Sequence, residues 1–128
     1  MTGSPQPTDA EVQILSVLWE KGPVTVREVH TELCKAREVG YTTVLKHMQI
    51  MTEKGLLLRD ESQRSHVYRP RQKPEAMQRS IVRNLIAKVF SGSTEQLVLR
   101  ALTAKRATPD QIAEIRKMLD ELEQENSK

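Results

Sequence analysis

Thr42, Thr43, Lys46 and Glu53 fall on one side of a single helical pattern, with His47 and Gln49 on its flanks. Short hydroxyls, an ammonium, an imidazole and an amide at that spacing perform no bond-making chemistry of their own. They are groups that meet base edges and phosphates. Tyr41, Val44, Leu45, Met48 and Met51 share the opposite side, an apolar face expected to pack inward, and Ile50 is the one apolar misfit outside it. Arg59, Arg64, Arg69 and Arg71 follow shortly after, each carrying a guanidinium suited to phosphate. In this reading Thr42, Thr43 and His47 touch bases, while Lys46 and the four arginines neutralise phosphates.

Other reactive side chains are scattered. His30 and Cys34 stand four apart on one helical flank, a spacing that can hold one edge of a metal site, but no further ligand stands nearby in sequence. A packed thiol beside a partly exposed imidazole is the plainer expectation, with no metal and no cofactor. The three histidines, His30, His47 and His66, fall on three different elements. Asp60 and Glu61 are adjacent on a polar turn, where carboxylates act as turn formers rather than as an acid/base pair. No glycine-rich phosphate loop, nucleophile elbow or H-E-x-x-H run is present, so an enzyme is not expected.

The elements that must position these residues are marked by their caps. Thr8-Asp9-Ala10-Glu11 and Thr25-Val26-Arg27-Glu28 are capping boxes that open two helices. The first carries Val12, Leu15, Leu18 and Trp19 and ends at Lys21-Gly22-Pro23, with Trp19 expected in the core; Val24 is a short extended piece. The second carries Val26, Val29 and Leu33 inward. Residues 37–40 turn into the third helix, which Gly55 closes. Leu56, Leu57 and Leu58 begin an apolar strand, Asp60 to Arg64 form a turn, and Val67 and Tyr68 sit in a returning strand. Three helices followed by a hairpin is the order of a winged helix-turn-helix.

Pro70 and Pro74 bracket a stiff basic connector. A helical pattern from Glu75 then carries Met77, Ile81, Leu85, Ile86, Val89 and Phe90 and stops at Ser91-Gly92. Ser93 or Thr94 caps another, with Leu97, Val98, Ala101 and Leu102. Thr108-Pro109-Asp110-Gln111 starts a last one, with Ile112, Ile115, Met118, Leu119 and Leu122 at three- and four-residue spacing. Such short one-sided helices bury little alone, so Ile81, Leu85, Phe90, Leu97, Val98, Ile112, Ile115, Met118 and Leu119 are expected at a homodimer contact. The fold expected is mainly α with a small β-hairpin: a disordered leader at 1–7, a winged helix at 8–74 and a helical dimerisation region at 75–128.

The 128 residues suit one domain or one small domain with an appendage, and 38% hydrophobic content supports a largely aliphatic core. The net charge of +3 is modest, but its distribution is not even. Residues 64–88 hold seven cations against Glu75 alone, a local excess of +6, and residues 108–128 carry −3. No apolar run approaches a membrane span. The N-terminus has neither the basic start nor the apolar stretch of a signal peptide, and one cysteine permits no internal disulfide. A cytoplasmic location is expected.

These segments together resemble the penicillinase-repressor (BlaI/MecI-type) group of winged-helix transcription regulators. The resemblance rests on Thr8–Glu11 with Leu18-Trp19-Glu20, Gly22 to Val29, Tyr41-Thr42-Thr43-Val44, Glu53-Lys54-Gly55-Leu56, Tyr68-Arg69-Pro70, Phe90 to Ser93 and Leu97-Val98. It implies a homodimer that binds a dyad operator on double-stranded DNA and blocks transcription. It also implies a third helix in the major groove, through Thr42, Thr43, Lys46 and His47, and a wing from Arg59 through Tyr68 that adds Tyr68 to the DNA contacts. A membrane-bound antirepressor protease enters as a candidate partner by the same resemblance alone. In β-lactam-responsive members the induced cut falls at an Asn-Phe pair, and here Arg100 and Ala101 stand there. The cysteine-rich tail of copper-responsive relatives is absent. One rival reading is a winged-helix adaptor that binds protein instead of DNA. Another is a thiol- or metal-sensing repressor using His30 and Cys34.

Overall fold

The computed structural model describes residues 5–127. The elements are α1 (Asp9–Lys21), α2 (Val26–Cys34), α3 (Tyr41–Lys54), β1 (Leu57–Asp60), β2 (Val67–Pro70), α4 (Pro74–Val89), α5 (Thr94–Ala104) and α6 (Pro109–Asn126). The boundaries follow local chemistry. Thr8, Thr25 and Thr108 each accept from the third helical amide of α1, α2 and α6, and Glu11, Glu28 and Gln111 reach back to the cap amide. Gly55 ends α3 at φ 86°, a left-handed turn that costs glycine nothing. Leu56 N–H then bonds the Met51 carbonyl and throws the chain into β1.

β1 and β2 pair antiparallel, with Leu57 opposite Pro70 and Arg59 opposite Tyr68. Val24 adds a one-residue bridge, its N–H and carbonyl both bonded to Tyr68. The extended piece expected between α1 and α2 is therefore a third edge to the hairpin's base.

One aliphatic core unites these elements. Ile14, Leu15 and Leu18 of α1, Val29 of α2, Val44, Met48 and Met51 of α3, and Leu56, Leu57 and Tyr68 of the hairpin are each no more than 2% exposed. Burying a side chain of this kind contributes about 2 kcal/mol, so α3 is pinned by its apolar face and its other face is turned outward. Trp19 packs against the same core and donates its indole N–H to the Gln72 carbonyl at 3.1 Å.

Several residues stand elsewhere than the sequence pattern alone suggests. Tyr41, placed on the inward face, is 41% exposed, because the first turn of α3 projects past the core. Tyr68, expected at DNA, is 2% exposed and belongs to the core cluster. Ile81, expected at a dimer contact, packs against the N-terminal core, as does Met77. The first compact unit runs on to Arg83, and the second begins at Asn84, inside α4 and past the expected boundary at 74. Of the expected disordered leader, residues 1–4 lie outside the described residues; Gln6 is half-buried and donates to the Ser80 hydroxyl at 2.9 Å.

In the second unit, Ser91 (φ 50°) and Gly92 (φ 85°) close α4, with Gly92 N–H on the Ile86 carbonyl. Neither α5 nor α6 buries a residue. Phe90, Leu97 and Ile115 are half-buried, while Leu85, Val98, Ile112, Met118 and Leu119 are exposed.

Candidate nucleic-acid interface

The outward side of α3 has the composition that the sequence assigns to it. Thr42, Thr43 and Lys46 are exposed, and His47 is half-buried at the flank. Gly40 caps α3 without a side-chain bond, unlike the threonines at α1, α2 and α6, which leaves the first amides of α3 open to an outside acceptor. Among the described residues Lys46 forms no ion pair. The helix thus presents hydroxyl donors and a free ammonium on a rigid cylinder held by Val44, Met48 and Met51 from behind.

The hairpin places the arginines unequally. Arg59 donates through Nε and Nη2 to Glu61 Oε2 at 3.2 and 3.1 Å. The Tyr68 hydroxyl, and then the Glu61 carboxylate, hold the Arg59 guanidinium above its ordinary value. Arg59 is accordingly committed within the wing. Arg64, Arg69 and Arg71 are exposed and form no ion pair among the described residues. Asp60 accepts from the Ser62 N–H at 2.9 Å, which together with the Ser62 hydroxyl holds its carboxyl below the usual range. That is a turn-forming carboxylate, as its position suggests.

His30 and Cys34 meet on the flank of α2. His30 Nε2 lies 2.8 Å from the Val39 carbonyl, so this nitrogen carries the proton and donates it there. Cys34 Sγ is 3.3 Å from the same nitrogen. The pair fastens the α2–α3 turn, and no group of three metal-ligating side chains occurs among the described residues.

Arg27 and Tyr41, which sequence reasoning leaves out of the interface, meet at the start of α3. The Arg27 guanidinium sits over the Tyr41 ring, 5.8 Å from its centroid, and His30 meets the same ring edge-on at 5.7 Å. The available signal was that Tyr41 opens its helix, where a ring escapes the core.

Comparison with known proteins finds relatives of one family. The penicillinase repressor family model matches residues 7–121. The transcriptional regulator BlaI of Mycobacterium tuberculosis is 29% identical over 116 residues, covering 90% of this chain and 83% of that protein. The solution structure of the DNA binding domain of the repressor BlaI superposes with a TM-score of 0.51 at 28% identity, over 58% of this chain and 90% of that one. The Bacillus licheniformis BlaI monomeric form, solved in complex with the blaP half-operator, gives a TM-score of 0.51 at 28% identity, over 59% and 92%. With a winged helix in its first half and the family match running from Pro7 to Glu121, this chain belongs to the penicillinase repressor family.

Proposed function

We propose that this chain is a transcriptional repressor that binds a palindromic operator as a homodimer. The observation that carries the reading is the outward face of α3: Thr42, Thr43 and Lys46 are exposed, with the unpaired Arg64, Arg69 and Arg71 following on the wing and its connector. Thr42, Thr43 and His47 read base edges in the major groove, and Lys46 with the three arginines neutralises phosphates. Arg59 joins them only by exchanging Glu61 for a phosphate. The half-operator complex of the B. licheniformis relative supports DNA as the partner.

The homodimer rests on the second unit. Leu85, Val98, Ile112, Met118 and Leu119 are each more than a third exposed, an apolar display that a twin chain would cover. Two identical heads then address two half-sites about one helical turn, or a multiple of it, apart. Occupation of the operator blocks transcription by excluding the polymerase, and the site of action is the cytoplasm, where bacterial DNA lies.

Fluorescence anisotropy with a duplex bearing the inverted repeat beside the chain's own gene tests this. Binding should weaken steeply with salt, and Lys46→Ala should weaken all DNA binding while flattening the salt slope by about one. Salt-independent binding, or none, would return the chain to the adaptor reading.

A further inference from the structure

The wing tip, the first turn of α2 and the first turn of α3 enclose a cleft of about 330 Å³ within the N-terminal unit. Arg27, Tyr41, Arg64, Ser65 and His66 line it, and no carboxylate does. Arg27 and Arg64 form no ion pair among the described residues. The capping box already engages the Thr25 and Glu28 amides at the start of α2, and the cationic groups that line the cleft are side chains. Tyr41 is steadied between Arg27 and His30, which aims one wall. The opposite wall is not bonded to the first: among the described residues no hydrogen bond or ion pair joins Arg64, Ser65 or His66 to α2 or α3.

Two guanidinium groups lining one cleft that no carboxylate lines favour an anion there, and their planar forks match the geometry of a phosphate. The walls belong to the two elements that the repressor reading sets against the duplex, α3 and the wing. Between a helix in the major groove and a wing beside it runs one sugar-phosphate strand.

We propose that this cleft seats a single phosphodiester group of that strand, gripped jointly by Arg27 and Arg64 and flanked by the Tyr41 and Ser65 hydroxyls and the His66 ring. The inference rests on the DNA-binding reading and adds to it: the hairpin's base is held by the Val24–Tyr68 bridge, and the phosphate is a tie for the wing tip alone. Binding the strand therefore ties the wing tip to the helices through a contact that carries no base information.

The test uses the full chain and a set of duplexes that it retains, each with one phosphate replaced by an uncharged methylphosphonate. Arg27→Ala and Arg64→Ala, both at exposed positions, should each weaken every duplex by about tenfold and flatten the salt slope by about one. The double variant should lose clearly less than the product of the two, because both residues share one partner. One methylphosphonate position should weaken the wild type by a similar factor and leave the double variant unaffected. Arg27→Lys should recover only part of the loss, since it restores charge without the fork. Wild-type binding with the double variant still sensitive at every phosphate position would overturn the seat while leaving the repressor reading intact. Saturable binding of inorganic phosphate to the DNA-free chain, abolished by Arg27→Ala, would make the cleft a free-anion site and overturn it too. A wild type that retains no duplex would refute the repressor reading itself.

Discussion

Lys54, the last residue of α3, places its Nζ 2.6 Å from Oε1 of Glu11 in the first turn of α1. The same carboxylate oxygen accepts the Thr8 N–H at 2.9 Å, so one buried group closes a capping box and anchors the far end of the outward-facing helix. Glu11 is only 4% exposed, whereas the Lys54 side chain is 32% exposed. The pair fixes how α3 is carried on α1 and hence where its outward face points. Lys54→Met should leave the carboxylate buried without its cation and cost roughly 2 kcal/mol in a urea titration. This is below the 3–5 kcal/mol of a fully enclosed pair, because Lys54 still reaches water.

The pair also gives stability a pH dependence of defined sign. Burial by itself would raise the Glu11 carboxyl, but hydrogen bonds from Lys54 and the Thr8 amide outweigh it and hold the group below its ordinary value. A lowered carboxyl contributes stability that is present above the usual carboxylate range and is lost as pH falls through the folded value. Thermal melts should therefore show wild type and Lys54→Met drawing together in acid and separating towards neutrality. Parallel curves across that range would show that Glu11 is not the linked group.

Tyr68 separates packing from recognition. Its ring is buried, so Tyr68→Phe, which keeps the ring and removes only the hydroxyl, should change DNA affinity by no more than about twofold, less than the loss of one typical hydrogen bond. Tyr68→Ala should instead destabilise the N-terminal unit by about 3–5 kcal/mol, in line with other large aromatic truncations. Paired anisotropy and denaturant measurements on the two variants check both outcomes.

The dimer is addressed at Leu119, 54% exposed on α6. Leu119→Asp puts a charge into the apolar stripe, where a twin chain would have to desolvate it. Sedimentation should report half the wild-type mass, and tight operator binding should be lost while weak binding to half-sites persists. Unchanged mass and affinity would remove α6 from the contact.

Much of this was legible because the signals were local. Thr8 with Glu11, Thr25 with Glu28 and Thr108 with Gln111 fall three residues apart, and each formed the reciprocal cap that its spacing implies. Helical periodicity placed Val44, Met48 and Met51 inside and Thr42, Thr43 and Lys46 outside. What escaped was set by partners distant in the chain. Glu11 and Lys54 stand 43 positions apart, and nothing in either segment names the other. Tyr68 reads as a wing residue until Val24 is found bonded across it. Ile81 shares its helical pattern with Leu85, and only the reach of the N-terminal core divides them. Arg27 looks like any solvated charge of a capping box until Tyr41 and Arg64 appear beside it.

The central claim is that the outward face of α3 selects a DNA sequence, and selection from a random duplex pool tests it most directly. Wild type should enrich an inverted repeat whose half-sites lie about one helical turn, or a multiple of it, apart, and Thr43→Ala should relax the preference at one matching position in each half. Enrichment of no sequence, or the same preferred sequence from wild type and from a combined Thr42→Ala, Thr43→Ala and His47→Ala variant, would contradict it.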